Sequence, residues 1–95
     1  MLHTLRHSPF QCDLAEILRF MQPGDDLLLI EDGVIAALGN SRALELLLCA
    51  PISVSALQED IEARGLIAQI SSKVECVSYT DFVRLAVKHD QQFAW

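Results

Sequence analysis

Apolar and polar residues follow two periods along this chain, and the alternation of those periods predicts strands separated by helices. One apolar run, Leu27 to Ile30, is continuous, which is typical of a strand buried on both faces. The strand predicted at the start of the chain ends before Ser8-Pro9, because proline disfavours further regular structure there. In all, four strands are predicted, at residues 1–5, 26–30, 52–56 and 74–78.

Between the strands, apolar residues recur with the spacing of an amphipathic helix. Leu14, Ile17, Leu18 and Met21 share one helical face, and Asp13 precedes them as a candidate N-cap. Ser41 is a candidate N-cap for a second helix that ends near Cys49, before Pro51. A third helix is predicted before Gly65, and Thr80 or Asp81 is expected to cap a fourth.

This order of elements is βαβαβαβα. It predicts an α/β fold: one small three-layer α/β/α domain over residues 1–95, with a mostly parallel sheet of about four strands and helices on both of its faces. No internal repeat, linker or low-complexity segment interrupts the pattern.

The composition is more apolar than a chain of this length needs for its own core. Hydrophobic residues make up 52% of 95 positions, and the mean hydropathy is +0.30. No apolar run approaches the roughly 18 residues that span a bilayer, so we expect a protein partner rather than a membrane to cover the excess. The second helix is apolar on more than one face, and two aromatic residues lie near the C-terminus. The predicted interface residues are Leu44, Leu46, Leu47, Leu48, Phe93 and Trp95.

The charge and the cysteines narrow the function further. A net charge of −6 with only seven Lys and Arg residues argues against direct nucleic-acid binding. Three widely spaced cysteines do not make a disulfide framework and favour a reducing compartment. The first residues also lack the pattern of a secretory signal, so we expect a cytoplasmic protein.

Cys12 is the strongest candidate nucleophile, because a helix N-terminus can lower the pKa of a nearby thiol. Asp13 and Glu16 act in the opposite direction, since they disfavour a thiolate. Cys49 lies at a helix end, and Cys76 is expected to be buried within a strand and unreactive. A persulfide carrier that uses Cys12 is therefore one alternative function.

Glu31 and Asp32 follow the second strand, at the position where open α/β sheets bind ligands. They suggest a Mg²⁺ site or an acid–base pair in a flavodoxin-like ligand-binding domain, although Asp32-Gly33 is more simply a turn. The histidines and cysteines lack the spacing of metal ligands, and the glycines match no nucleotide-binding motif. We therefore predict no metal and no cofactor.

Several segments together resemble the DsrH-like subunits of the DsrE/DsrF/DsrH-like family. They are "MLHT", "SPF", "EDGVIAAL", "ARGL", "YTDFVRLAVKH" and the final "AW", and they span the chain nearly end to end. The resemblance implies a cytoplasmic sulfur-relay complex that holds two copies of this subunit, of TusC and of TusD. It also implies that sulfur arrives from TusA, rests as persulfide on a cysteine of TusD, and leaves through TusE toward 2-thiolation of the tRNA wobble uridine.

Some members of that family carry a cysteine in the first helix, seven positions before the glycine that ends it. Counting back from Gly24 places Ile17 at that position in this chain, and Cys12 does not match it. The resemblance therefore implies a noncatalytic structural subunit whose acceptor cysteine lies on TusD. This is the favoured function, ahead of the Cys12 carrier and the ligand-binding domain.

Overall fold

The computed structural model describes all 95 residues, Met1 to Trp95. Its strands are β1 (Leu2–Leu5), β2 (Asp26–Leu29), β3 (Ser53–Leu57), β4 (Glu75–Val77) and β5 (Gln92–Ala94). Its α-helices are α1 (Leu14–Arg19), α2 (Arg42–Cys49), α3 (Gln58–Ala63) and α4 (Tyr79–Lys88). Two 3-10 helices cover Glu31–Ala37 and Ile67–Gln69.

The five strands form one sheet in the order β4-β3-β2-β1-β5, and every neighbouring pair is parallel. The predicted α/β fold with a parallel sheet is confirmed, but the sheet has five strands rather than about four. The additional strand, β5, pairs with β1 so that Phe93 lies beside His3. Three residues are too few to show a strand period, so the sequence analysis assigned Phe93 and Trp95 only to a predicted interface.

The strand order places the helices unequally on the two faces of the sheet. From β1 to β4 each strand lies beside the one before it, so right-handed crossovers carry α1, α2 and α3 over one face. The last connection returns across the whole sheet to β5, which puts α4 on the opposite face. We refer to these as the three-helix face and the α4 face.

The two faces bury very different amounts of apolar side chain. A core of 14 buried residues fills the three-helix face, with contributions from α1, α2, α3 and the first 3-10 helix. On the α4 face only Leu2, Leu28 and Val77 form a buried cluster, and Phe82 and Leu85 of α4 pack against it while remaining partly exposed.

Two of the predicted helix starts are confirmed. The Asp13 carboxylate accepts a hydrogen bond from the backbone N–H of Glu16 at 3.2 Å, and the Ser41 hydroxyl accepts one from Leu44 N–H at 3.1 Å. The predicted cap of α4 is wrong, because Ser78 is the N-cap. Asp81 is instead the third helical residue and completes the capping box by accepting from Ser78 N–H at 3.2 Å.

The longest helix, α4, has 10 residues. None of the helices has the length and apolar character needed to cross a bilayer.

Candidate functional site

The main cleft lies at the carboxyl end of β1, where the segment that follows this strand meets the start of α2. Its volume is about 780 Å³. Phe10 projects beside it with 89% of its surface exposed. The side chains that give the cleft its character are Pro9, Phe10, Cys12, Leu38, Arg42 and Leu46. The cleft is therefore largely apolar, and its polar groups are the Cys12 thiol, the Arg42 guanidinium and the side chains of Gln11, Asp13 and Ser41.

Cys12 lines this cleft, but its surroundings favour the thiol over the thiolate. The side chain is half-buried, and its Sγ lies 3.4 Å from the carbonyl oxygen of Ser8, to which it donates. Burial, followed by the negative charge of Asp13, raises the pKa of the Cys12 thiol. The lowering that a helix N-terminus can provide is therefore outweighed here, and the site does not activate this sulfur.

The other two cysteines are exposed. Cys49 ends α2, and Cys76 lies in β4. The expectation that Cys76 is buried is wrong. Its strand has only three residues and is the edge strand next to β3, so neither a neighbouring strand nor a helix covers the thiol.

The two residues that follow β2 are bound by α3 and by the residue that ends it, Asp32 through its carboxylate and Glu31 through its backbone N–H. Arg64 donates to Asp32 Oδ1 from Nη2 at 2.9 Å and from Nε at 3.1 Å. The backbone N–H of Glu31 donates to Asp60 Oδ2 at 2.7 Å. These bonds join the "EDG" segment, which follows β2, to the "ARGL" segment, which ends α3. The strand end that was predicted to bind a ligand is therefore a structural junction between two connecting segments.

Gly33 shows how closely this junction packs against the end of β1. A Cβ atom at residue 33 would lie 2.0 Å from the carbonyl oxygen of Leu5 and 2.8 Å from its carbonyl carbon. The backbone of the first 3-10 helix therefore packs directly on the end of β1. This 3-10 helix begins at Glu31, which has a left-handed conformation (φ 51°), and continues through Asp32-Gly33.

Two of the three histidines, His3 and His89, pair with aspartates. His3 Nε2 lies 2.9 Å from Asp25 Oδ2, and His89 Nε2 lies 2.6 Å from Asp26 Oδ2. No group of three or more His, Cys, Asp or Glu side chains has an arrangement that could hold a metal ion.

Asp25 is the most strongly perturbed carboxyl group. Its burial acts to raise its pKa, but hydrogen bonds from the Gln22 backbone N–H, His3 and the amino group of Met1 overcome this and lower the pKa to about 2. Asp25 is therefore a firmly ionised anchor between the end of the first connection and β1.

The predicted interface residues divide into two groups. Leu44 and Leu47 are buried in the chain's own core, at 6% and 1% exposure, and have no area left for a partner. Leu48 and Phe93 are exposed at 41% and 49%, and Leu46 and Trp95 are partly exposed. The predicted interface therefore consists of these last four residues.

The structure adds an apolar stripe that the sequence analysis did not select. Tyr79, Val83 and Val87 are exposed along one side of α4. Their spacing of four residues was visible in the sequence, but it lay beside the stronger inward face that contains Phe82 and Leu85. Phe20 is likewise exposed, with its ring centroid 5.7 Å from that of Trp95.

Two solved structures share this fold. Protein Tm0979 from Thermotoga maritima superimposes with a TM-score of 0.70 over 96% of this chain and 97% of its own, at 25% identity. The ychN protein from E. coli superimposes with a TM-score of 0.76 over 99% and 97%, at 15% identity.

Sequence comparison is more specific. The family model described as "DsrH like protein" matches residues 7–92. Protein TusB of Erwinia tasmaniensis is 61% identical over the full length of both chains. Protein TusB of Klebsiella pneumoniae strain 342 is 58% identical, and that of Escherichia coli K12 is 56% identical, again over both full lengths. The chain therefore belongs to the DsrH-like protein family, among relatives that carry the name Protein TusB.

Proposed function

We propose that this chain is a noncatalytic structural subunit of a TusBCD-type sulfur-relay complex that supports 2-thiolation of the tRNA wobble uridine. Its direct partners are TusC and TusD in a cytoplasmic heterohexamer with two copies of each subunit. TusA and TusE act through the assembled complex, and the acceptor cysteine belongs to TusD.

The observation that carries the proposal is that the residues at the end of β2 bind other parts of the same chain. Asp32 is bound by Arg64, and Gly33 packs against the Leu5 carbonyl, so the residues that follow β2, at the edge where open α/β sheets bind ligands, are engaged in internal contacts. The thiol closest to this edge, Cys12, has a raised pKa. The chain thus has the fold of its family, but the residues at its most reactive positions make structural contacts instead.

Exposed apolar side chains supply the surface that a structural subunit needs. Leu46 and Leu48 lie on α2, and Phe93 and Trp95 lie at the β5 edge. Apolar surface of this kind on so small a chain is what partner subunits bury. We expect the chain produced alone to self-associate or aggregate. A monodisperse monomer at high concentration would contradict an obligate place in a larger assembly.

Cysteine replacement tests the noncatalytic role directly. Cys12, Cys49 and Cys76 are changed to Ser, singly and together, in a strain that carries the other subunits. We expect thiolated wobble uridine, measured by mass spectrometry of tRNA, to stay at the wild-type level, because no thiol of this chain takes part in transfer.

Complex recovery provides the control for that experiment. Affinity purification through TusD shows whether each variant still assembles, so a folding defect is distinguished from a chemical one. An assembled complex that fails to thiolate tRNA when only Cys12 is replaced would overturn the structural role.

The position of Cys12 in the main cleft supports one alternative, a persulfide carrier that uses this residue. Its raised pKa opposes that role, because the thiolate is the reactive form. Mass spectrometry after incubation with a persulfide donor decides between them: a gain of one sulfur atom on Cys12 supports the carrier. For the ligand-binding alternative, titration calorimetry with Mg²⁺ and nucleotides should show no binding.

A further inference from the structure

A chain of side-chain contacts that passes through His3 holds Trp95 against the sheet. The indole Nε1–H donates to His3 Nδ1 at 3.1 Å, and His3 Nε2 lies 2.9 Å from Asp25 Oδ2. The His3 ring is 2% exposed and stacks against the indole with a centroid separation of 6.2 Å. An imidazole nitrogen that accepts a hydrogen bond carries no proton, so these contacts define a neutral His3 that donates from Nε2.

Protonation of His3 is incompatible with this arrangement. The imidazolium carries a proton on both nitrogens, so Nδ1–H would face the indole N–H at a separation at which two donors repel. A bound Trp95 side chain and a charged His3 therefore exclude each other. Since the ring is buried, water cannot easily separate the two groups.

The other charged groups near His3 do not change the direction of this effect. Asp25 and the amino group of Met1 belong to the first connection and to the start of β1, so they remain beside His3 whether or not β5 is bound. The residues of β5 carry no charged side chain. On α1, Arg19 and Glu16 are exposed and pair with each other at 2.8 Å.

We propose that His3 is a pH-sensitive latch for β5: neutral His3 holds Trp95 and its strand on the sheet, and protonated His3 releases them. This inference does not depend on the sulfur-relay role. Its consequence is that falling pH shifts β5 toward its detached state and so weakens the surface formed by Phe93 and Trp95.

Strand β5 is weakly held enough for one side-chain contact to matter. It is a three-residue edge strand whose residues are all exposed. Its flanking backbone bonds are Trp95 N–H to Thr4 O at 2.8 Å, Leu2 N–H to Gln91 O at 3.0 Å, and Arg6 N–H to Trp95 O at 3.5 Å. Segments with few buried contacts open locally at low free-energy cost, so loss of the indole bond shifts this equilibrium measurably.

His89 supplies the matched comparison within the same chain. It also pairs through Nε2 with an aspartate, Asp26, whose carboxylate is 3.3 Å from Lys88 Nζ. It lies on the α4 face and makes no contact with Trp95. Protonation of His89 adds positive charge beside the Asp26 carboxylate and does not break a bond to β5.

Backbone hydrogen exchange tests the latch. The protection of the Trp95 amide is measured relative to that of the Ile30 amide, which donates to Leu5 O at 2.9 Å and corrects for the pH dependence of intrinsic exchange. Between about pH 8 and about pH 5.5, we expect this ratio to fall roughly fivefold, the effect of one net hydrogen bond. A constant ratio in the wild-type chain would overturn the proposal.

Three variants separate the latch from general acid sensitivity. In His3→Gln the amide accepts from Trp95 and donates to Asp25 without titrating, so the ratio should not change with pH. His89→Gln should retain the wild-type change. Trp95→Phe should lose it, because its ring presents no N–H to the imidazolium, and this variant keeps the test valid if His3→Gln does not fold. An unaltered fivefold change in His3→Gln or Trp95→Phe would refute the role of His3.

Discussion

The two faces of the sheet are built differently, although the same strands form both. On the three-helix face, side chains from three helices and a 3-10 helix enclose a core of 14 buried residues. On the α4 face a single helix covers the sheet, no residue of that helix is fully buried, and the apolar cluster has three members. Asp26, His89 and Lys88 supply polar contacts where the first face has packed leucines.

The three-helix face should therefore supply most of the stability of the fold, whereas the α4 face keeps apolar side chains that a partner can cover. Burial of apolar area is the dominant favourable term in folding, so the three-helix face should hold most of the free energy of unfolding. The α4 face keeps Tyr79, Val83 and Val87 in solvent. A partner that covers this stripe would complete the second layer without disturbing the core.

The largest effect is expected at Gly33, which tests how tightly the three-helix face is packed. In Gly33→Ala the added Cβ would meet the Leu5 carbonyl at 2.0 Å, so the first 3-10 helix or β1 must move. We expect a loss of about 3 kcal/mol or more in the free energy of unfolding, measured by urea denaturation. Gly39→Ala is the control, because its Cβ would make an ordinary 3.6 Å contact. Equal losses in both variants would refute the steric explanation.

Two leucine-to-alanine substitutions compare the helical layers on the two faces of the sheet directly. Leu47 of α2 is 1% exposed, and Leu85 of α4 is only partly buried. We expect Leu47→Ala to cost about 2–5 kcal/mol and Leu85→Ala about half as much, because the second site already contacts water. Thermal and chemical denaturation provide the values. If Leu85→Ala were as costly as Leu47→Ala, the proposed inequality of the two faces would be wrong.

Acid titration examines Asp25, whose partner His3 lies on the three-helix face. Because the pKa of Asp25 is lowered to about 2 in the folded chain, its ionised form stabilises the fold above the ordinary carboxyl pKa. That contribution, on the order of 1 kcal/mol after solvent screening, is lost as pH falls toward 2.

Asp25→Asn should therefore be less stable than the wild-type chain at neutral pH, with the difference shrinking as pH falls from about 4 toward about 2. Urea denaturation across this range measures it. Asp90→Asn removes the same charge from an exposed carboxylate that forms no ion pair in the structure. A difference for Asp25→Asn that does not change with pH would argue against a lowered pKa.

The smallest effect on stability is expected at the exposed apolar residues. Val87→Gln on α4 and Leu48→Gln on α2 should each change the free energy of unfolding by no more than about 0.5 kcal/mol, because both side chains are already in solvent. Recovery of TusC and TusD with each variant should fall if these surfaces meet partners. Arg84→Gln, an exposed change on the same helix as Val87, serves as the control. Full recovery with both apolar variants would exclude both surfaces.

The local sequence determined those features of the fold that depend only on residues a few positions apart. The alternation of the first four strands with four helices along the chain, the Asp13 cap and the Ser41 cap were predicted because periodicity and capping act within a few positions. The interior of the second strand was also predicted, since its apolar run demands burial on both faces.

Tertiary structure decided what depends on distant residues. Only the fold shows that Leu44 and Leu47 point inward while Leu48 stays exposed, because both faces of α2 are apolar in sequence. The burial of Cys76 was mispredicted for a related reason: strand order, which local pattern does not encode, made β4 an edge.

The chemistry of the candidate site was decided in the same way. Arg64 binds Asp32 across 32 positions, and Trp95 binds His3 across 92. Neither partner carries a local signal of the other, since hydrogen-bond geometry exists only after the sheet has brought the segments together. The sequence thus determined which groups were available for chemistry, and the parallel sheet with its right-handed connections decided that they bind one another.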